Sequence, residues 1–391
     1  MRTTQSPGLD VRTITTEEEL SLLGPEWDEL VRASPRPSPF LLHAWILEWW
    51  RHLGAGAALE VHVARRGDRL VGILPFCTRR HRGLRITEFV GGGASALADV
   101  LLAEGEGDDT VWALAGRAAA QPHDLADLFG LPESSRLAAA LGTTRLRLIQ
   151  RVEAPVLDLS AGWEAVYAAK TSSKKRNLHK RRRRQLAEQG RTLSAEVAST
   201  FDRLEPVLEE AFELHELRWA GRPDGSGFST PAGRLFNRAV MRAFAEQDIA
   251  RIVSLRLDGR AIAFHYYFAF CNRMYVYRLA FDPELSRFSP GLVNTLDALA
   301  AASDEGLDRV EFLGGDERYK LELADRLEPL YQGLGLAATP QGRAVVLGRV
   351  GVIKARRRLK RSPTVRRLYF EGLAPARKLF ERARRRPTAS E

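Results

Sequence analysis

Three apolar, aromatic segments follow one another with almost no chain between them, and they constrain the fold more than any other feature. The segments read IARIVSLRL, RAIAFHYYFAF and RMYVYRLAFD, and the pairs Asp258-Gly259 and Cys271-Asn272 separate them. Two-residue turns of this composition join antiparallel strands. Residues 249–282 are therefore predicted to form a three-stranded antiparallel meander.

An earlier part of the chain repeats this order of elements. LEVHVARR and RLVGILPFCTRR flank a Gly67-Asp68 turn and predict a strand pair. Helical patterns precede the two meanders, at 10–53 and 202–246, and a crossover helix is predicted after each of them. The repeated order predicts a duplicated α/β fold, in which each module is a mixed, largely antiparallel sheet flanked by helices.

We place the boundary between the modules near 150–160. The predicted organisation is an N-terminal module over residues 1–155, a C-terminal module over residues 156–345 and a basic helical tail over residues 346–391. This length is sufficient for two domains of ordinary size.

Composition excludes several classes of protein. Hydrophobic residues make up 45% and charged residues 28% of the 391 positions, as in ordinary globular domains. Cys77 and Cys271 are far apart and show no CxxC spacing, so we expect two buried single thiols and no metal site. Because neither a signal-peptide pattern nor a run of 18 apolar residues occurs, we expect a cytoplasmic protein that does not span a membrane.

The net charge of +10 is concentrated in two segments. Residues 349–391 carry 15 Lys and Arg against 3 Glu, and residues 174–184 carry 8 Lys and Arg without an acid. The rest of the chain is acidic overall. Local excesses of positive charge are where anions bind, but for residues 181–184 a solvated helix face is the first interpretation and phosphate contact the second.

The tail shows a helical pattern with a basic and an apolar face. Its apolar positions recur near helical spacing, at Val365, Tyr369, Leu373, Ala376 and Phe380. Such a helix is typical of binding to an anionic membrane surface, and a helix packed on the globule is the alternative. An RNA-binding tail is a third possibility, although no nucleic-acid reading motif is present and DNA binding is not expected.

The loop after the third strand of the second meander predicts an anion site. AFDPELSRFSPGLVNTLDALA runs from the strand through a polar turn into a helix that starts at Pro290 and Gly291. Free amides and the positive end of the dipole at a helix start bind phosphates, and Arg287 adds a charge. A capped surface turn is the alternative.

Eight segments between Trp27 and Leu334 together resemble one enzyme family. They are WDEL, PFLLHAWILEWW, RLVGILPF, KKRNLHK, LHELRW, AFHYYFAF, RLAFDPELSRFSPG and GDERYK. The chain is similar to GNAT-fold acyltransferases of the BioF2-like (CelD/BcsL) family, which is related to the Fem-type aminoacyl transferases. The chain departs from the usual GNAT diphosphate signature, because Arg287 is followed by FSPG with a single Gly. The identity of the acyl carrier therefore stays open.

The resemblance implies two tandem GNAT-like modules and an acyl-CoA donor, such as acetyl-CoA, bound to the second. Strand backbone would pair with the pantetheine arm, and the helix start would hold the diphosphate. The implied donor-binding residues are Leu279, Ala280, Phe281, Arg287, Ser289, Gly291 and Leu292.

Three positions are candidates for the proton acceptor, and none is decisive. His265 lies in an apolar strand, where a core histidine is the alternative. His215 lies on the apolar stripe of its helix. Asp316 and Glu317 follow the Gly314-Gly315 pair at a strand end, where functional residues are common, and either could accept a proton, with a surface acid as the alternative.

The resemblance also implies residues that bind the acceptor. Lys320 would bind a phosphate or carboxylate of the acceptor or steady an oxyanion, and a salt bridge to Glu322 or Asp325 is the alternative. The expected acceptor-binding residues, of which the first two should face the cleft between the modules, are Arg176, Asn177, Arg218, Trp219 and Tyr319.

Three functions follow in order of preference. The first is an acyl-CoA-dependent transferase acting, at the inner face of the membrane, on an amine or hydroxyl of a small-molecule or lipid-linked precursor of the cell-envelope or polysaccharide type. The second takes its acyl group from aminoacyl-tRNA, as Fem-type relatives do. The third is a binding protein whose GNAT site has degenerated.

Overall fold

The computed structural model describes residues 8–188, 191–219, 227–315 and 317–361. The N-terminal half of the chain contains β1 (Leu9–Ile14), α1 (Glu17–Ser21), α2 (Gly24–Ala33), α3 (His43–Leu53), β2 (Ala57–Arg66), β3 (Arg69–His81), β4 (Leu84–Phe89), β5 (Leu101–Leu102), α4 (Asp108–Ala119), β6 (Leu125–Pro132), α5 (Arg136–Arg145) and β7 (Leu146–Asp158). The C-terminal half contains α6 (Trp163–Lys170), α7 (Ser173–Leu186), β8 (Leu193–Ala198), α8 (Phe201–Trp219), α9 (Pro231–Glu246), β9 (Ala250–Leu257), β10 (Arg260–Phe270), β11 (Arg273–Phe281), α10 (Pro290–Asp304), β12 (Arg309–Glu311), α11 (Arg318–Leu323), β13 (Arg326–Gly335) and α12 (Pro340–Arg361).

One mixed sheet runs through both halves and is nearly symmetric about its centre. Its order is β1-β2-β3-β4-β6-β13-β7-β12-β11-β10-β9-β8, with β5 paired to β3. Each half has one parallel pair, β4 with β6 and β11 with β12, and its other pairs are antiparallel. The last strand of each half crosses over, because β13 pairs with β6 and β7 pairs with β12. The predicted fold class of two modules in tandem is confirmed, with their final strands exchanged.

The predicted meander forms as β9, β10 and β11. Asp258 and Gly259 both have positive φ, at 52° and 82°, and so do Cys271 and Asn272, at 49° and 55°. Two consecutive residues of positive φ match the right-handed twist of the strands they connect. Cys77 is buried as predicted, but the prediction of a buried thiol was wrong for Cys271, which is exposed because it occupies the second turn.

The two halves share a core of aromatic rings. Phe40 and Trp45 from the N-terminal half pack edge-on against Phe268, and both also contact Tyr277. Rings of this size bury large apolar areas, and edge-on packing adds about 0.5–1.5 kcal/mol per pair. This core fixes the N-terminal half against β10 and β11, so loops from both halves can form one site.

Helix α12 begins at Pro340, within the predicted C-terminal module, and its first part packs on the body. Val346 and Val350 are buried against Ile86, Leu125 and Leu334. The apolar positions predicted for the tail, from Val365 to Phe380, lie outside the described residues. None of the described helices has both the length and the apolar character needed to span a bilayer.

Candidate active site

Strands β11 and β12 lie side by side over three residues and then separate. Arg273–Tyr275 pairs in parallel with Arg309–Glu311. β12 ends there, whereas β11 continues to Phe281 and keeps only β10 as a neighbour. Within the described part of the chain, the other edge of β11 has no strand partner along 276–281. An open strand edge offers its backbone groups to an extended ligand.

A β-bulge marks the point of separation. Tyr266 pairs with Arg278 and Tyr267 pairs with Val276, so Tyr277 is the extra residue of β11. A bulge re-aims the side chains beside it. Tyr277 points into the shared aromatic core, where its hydroxyl donates to Asn237 Oδ1 at 3.0 Å. Arg278 follows directly and lines the cavity described next.

The register shows which backbone groups of β11 stay available. Asp282 N–H donates to Ile262 O on the side of β10, at 2.9 Å. Because backbone groups alternate along an antiparallel strand, the N–H and C=O groups of Leu279 and Phe281 face the open edge. Two amide units in this position could pair with the amides of an extended chain.

A cavity of about 560 Å³ lies at this open edge, between the two halves of the protein. The N-terminal half contributes the loop 93–96 and Phe129. The C-terminal half contributes the end of α8, the bulge of β11, residues 312–314, Glu317 and Lys320. This volume suits a small substrate or the reacting end of a larger one.

The end of α8 brings an imidazole, a guanidinium and an indole to the cavity. His215 stacks on Trp219, with ring centroids 5.9 Å apart, and Arg218 lies over the ring of Phe281 at 4.1 Å. Burial, and secondarily the charges of Arg278 and Arg234, lower the pKa of His215 to about 4. At neutral pH the ring is therefore uncharged, which is the form that accepts a proton.

Lys320 is the buried cation of the cavity, with 4% of its surface exposed. Its Nζ donates to Gly314 O at 2.9 Å and pairs with Glu317 Oε2 at 3.0 Å. The salt bridge is thus to Glu317, whereas the alternatives considered were Glu322 and Asp325. These two carboxylates pair instead with Lys175 and Lys170, both outside the cavity. Lys320 is held at the cavity wall by its own loop.

Residues 173–321 match the acetyltransferase (GNAT) domain family. This segment is a GNAT-type acyltransferase domain. It contains the whole open edge of β11, the helix α10 that follows, and the C-terminal wall of the cavity. No curated protein sequence matches the chain.

Solved structures share the fold at low identity. The C-terminal domain of a protein assigned as a lysylphosphatidylglycerol synthetase from Agrobacterium fabrum superimposes with a TM-score of 0.52 and 14% identity, over 86% of this chain and 97% of that one. A conserved protein of unknown function from Bacteroides thetaiotaomicron gives 0.53 and 13%, over 84% and 100%. FemX gives 0.53 and 11%, over 83% and 96%. At these identities the similarity shows the fold alone.

The start of α10 in the GNAT domain offers fewer free amides than predicted. Ser289 N–H donates to Ser286 O, and Leu292 N–H donates to Ser289 O, both at 3.0 Å. The reason is that a 3₁₀ turn over Pro283–Phe288 leads directly into α10. Arg287 is exposed and lies over the Phe288 ring at 4.5 Å. Diphosphate binding by this segment stays a prediction that depends mainly on Arg287 and on the amide of Gly291.

Gly291 also has a packing role. A Cβ atom at this position would lie 2.7 Å from Cδ1 of Phe281, which is closer than real Cβ contacts. The glycine lets α10 start directly against the end of β11. Ala280, between the two free-edge residues of β11, is buried.

Two of the predicted catalytic residues do not contribute to the described cavity wall. His265 pairs with Leu279 and lies in the core rather than on the cavity wall, and neither ring nitrogen has a hydrogen-bond partner among the described residues. Burial and the charge of Lys320 lower its pKa to about 3. Asp316 lies outside the described residues. Of the predicted bases, His215 and Glu317 border the cavity, and because Glu317 is paired with Lys320, His215 is the candidate base.

The predicted acceptor-binding residues divide into two groups. Arg218 and Trp219 line the cavity, whereas Tyr319 is half-buried outside its lining, edge-on to Phe312, and burial raises its pKa. Arg176 donates to Ala168 O at 3.1 Å and to Thr171 O, and Asn177 is exposed on the same helix. Arg176 therefore caps the end of α6, and the two residues are not at this cavity.

Some cavity residues were missed. The side chain of Arg278 was not predicted, although it is a charged residue within an apolar strand, which is a usable signal. The contribution of the loop 93–96 had no signal in the sequence, because it depends on how the two halves pack.

Proposed function

We propose that the protein transfers an acyl group from an acyl-CoA thioester to an amine or hydroxyl of a cell-envelope or polysaccharide-type precursor. The observation that carries this proposal is the open edge of β11, which leads directly into a cavity of about 560 Å³. The amides of a pantetheine arm would pair with Leu279 and Phe281, as an added strand does. The thioester would then lie beside the bulge and the cavity.

The transfer needs two reactants held together and one proton removed. The acceptor nitrogen or oxygen attacks the thioester carbonyl carbon, the new bond forms, and the C–S bond breaks. The acceptor proton is taken up and the thiolate becomes the thiol of CoA, so the products are an amide or ester and free CoA. His215, neutral and at the cavity wall, is the proposed acceptor of that proton.

Titration calorimetry with acetyl-CoA and longer acyl-CoAs tests the donor. We expect saturable binding that Arg287→Ala weakens by about tenfold, as for the loss of one charged contact. Arg242→Ala is the matched control, since Arg242 is also exposed and also lies over an aromatic ring, that of Phe201. No binding by any of the three proteins would reject the acyl-CoA proposal, and equal binding by all three would reject the role of Arg287.

A second candidate donor is aminoacyl-tRNA, and the surface of α7 favours it. This helix packs on α10 and on the 3₁₀ turn that carries Arg287. Arg183 and Lys175 are engaged with Asp297 and Glu322, but Lys180, Arg181 and Arg184 are exposed. A basic face beside the donor groove suits a polyanion. Binding of charged tRNA, without binding of acyl-CoA, would select this candidate.

We further propose that the protein works in the cytoplasm, at the inner face of the membrane, through the basic tail. Leu347 and Val352 on α12 are exposed. They would add apolar contacts with the membrane to the attraction between the basic residues of the tail and anionic lipids. Sedimentation with anionic liposomes tests this by comparing the full chain with a chain that ends at residue 361. Equal pelleting of the two would reject a role for residues 362–391 in membrane binding.

A further inference from the structure

The side chains around the cavity carry more positive than negative charge. Arg218, Arg278 and Lys320 line it, and Glu317 is its only acidic residue among the described residues. The Glu317 carboxylate already pairs with Lys320. A wall with this charge balance attracts an anion.

Arg278 has a donor that the protein does not satisfy. Its Nε is buried, and no acceptor among the described residues reaches it. An unsatisfied buried donor costs about 1–3 kcal/mol, and the large majority of buried side-chain polar atoms find a partner. The bulge at Tyr277 directs this side chain toward the cavity. Arg278 as a whole is half-buried and borders the cavity, so a rotation of its guanidinium toward an anionic oxygen there would give Nε an acceptor and remove the cost.

Lys320 presents a second, fixed donor group. Two of its contacts are internal, to Gly314 O and to Glu317, and an ammonium group has three hydrogens. A Cβ atom at Gly315 would lie 2.8 Å from Nζ, so the glycine loop closes on the amino group and holds it in place. One N–H of Lys320 is thus left for a ligand in the cavity.

We infer that the acceptor carries a phosphate or carboxylate group close to its nucleophile, and that Arg278 and Lys320 bind this group. The inference rests on the proposed function, because it assigns the cavity to the acceptor. The donor lies along the edge of β11, with its own phosphates toward Arg287 and away from the cavity. The loop 93–96, which closes the opposite side, carries no charged side chain and suits the uncharged part of the acceptor.

Pairs of small amines that differ only in an anionic group test the inference. Ethanolamine is compared with phosphoethanolamine, and glucosamine with glucosamine 6-phosphate, by calorimetry without donor and by acyl transfer with it. We expect the phosphorylated member of each pair to bind at least tenfold more tightly. Arg278→Met should remove this preference without changing the weak binding of the neutral member, and Arg278→Lys should keep part of it.

Arg343→Met is the control, since Arg343 is exposed and borders a different hollow under α12. It should retain the full preference. The inference is overturned if neutral and phosphorylated members bind equally, if Arg278→Met weakens both alike, or if no phosphorylated probe binds below about 1 mM. Because these titrations use no donor, an anion site can persist when acyl-CoA fails to bind, which would reject the proposed function alone.

Discussion

Among the residues that the structure describes, each half of the sheet contains one parallel strand junction, and the junction of the C-terminal half alone is open. In the C-terminal half, β11 extends beyond the end of β12 at Tyr275, and the edge that β12 leaves uncovered borders the cavity. In the N-terminal half, β4 pairs with β6 at Ile86 and Thr87 and ends soon after, at Phe89. The chain then fills the gap itself, since Ala98 N–H donates to Gly130 O of β6 at 3.0 Å.

The helices that follow the two junctions, α4 and α10, also differ in how well they would accept an anion. The filling segment of the N-terminal half is fastened by Asp99, whose carboxylate accepts from Ser135 Oγ and Arg136 N–H, both at 2.8 Å. The first turn of α4 contains Asp108 and Asp109, which repel an anion, whereas the first turn of α10 contains no acid. In the described residues, the C-terminal half therefore provides the open groove, and the N-terminal half is closed and serves as one wall of the cavity.

The largest expected effect comes from giving α10 the charge of α4. Leu292→Asp places a carboxylate in the first turn of α10, where the donor's diphosphate is proposed to bind. We expect acyl-CoA affinity to fall about 100-fold, about 2.7 kcal/mol, through repulsion. The melting temperature should change little, because an acid at a helix start is favourable. Calorimetry and thermal melting measure the two quantities.

Asp109→Asn provides the counterpart in the N-terminal half. It removes an acid from the start of α4 and should leave acyl-CoA affinity unchanged. If Asp109→Asn alters the affinity as much as Leu292→Asp does, the two helix starts are equivalent and the comparison between the halves is wrong.

A pH-dependent stability effect is expected from Asp99. Burial raises its pKa to about 6. Since the folded state then holds the proton more tightly than the unfolded state, the stabilisation contributed by Asp99 is largest below pH 4 and falls as pH rises to 6. Denaturant unfolding of wild type and Asp99→Asn should show wild type more stable near pH 4, with the difference shrinking by about 1–3 kcal/mol by pH 7. A difference that grows with pH would contradict this assignment.

A smaller stability effect is expected at Gly130. Its φ is +88°, and a Cβ atom would lie 3.0 Å from the backbone oxygen of Ala96. Gly130→Ala should lower the free energy of unfolding by about 1–2 kcal/mol. Because Ala96 borders the cavity, KM for the acceptor should rise while acyl-CoA affinity stays constant. Gly348→Ala, at a position with no atom within 4 Å, is the control.

The sequence predicted the fold better than the site. Asp258-Gly259 and Cys271-Asn272 specify local turns, so the meander followed from short-range chemistry. The exchange of β7 and β13 depends on pairing between distant strands and left no local signal. Likewise, the position of Arg176 in a family motif predicts that it faces the cleft. In the structure its guanidinium instead donates to carbonyls at the end of α6. Arg278 lines the cavity because of a bulge that the alternating strand pattern hides.

The smallest expected effect compares a histidine from each half. Burial lowers the pKa of His62 and of His215 to about 4, with a secondary contribution from Arg117 in the first case and Arg278 in the second. An anion bound by Arg278 would offset its charge and raise the pKa of His215, but by no more than about one unit, since burial is unchanged.

NMR of the imidazole nitrogens at pH 5 measures this difference. The protonated fraction of His215 should rise from roughly a tenth to at most about half on saturation with phosphoethanolamine, whereas that of His62 should stay constant. His62 is fully buried in the closed half, so it reports any general effect of the added ligand. An equal response of the two rings would mean that the anion does not bind beside Arg278, and a response of His215 alone would locate it in the open half.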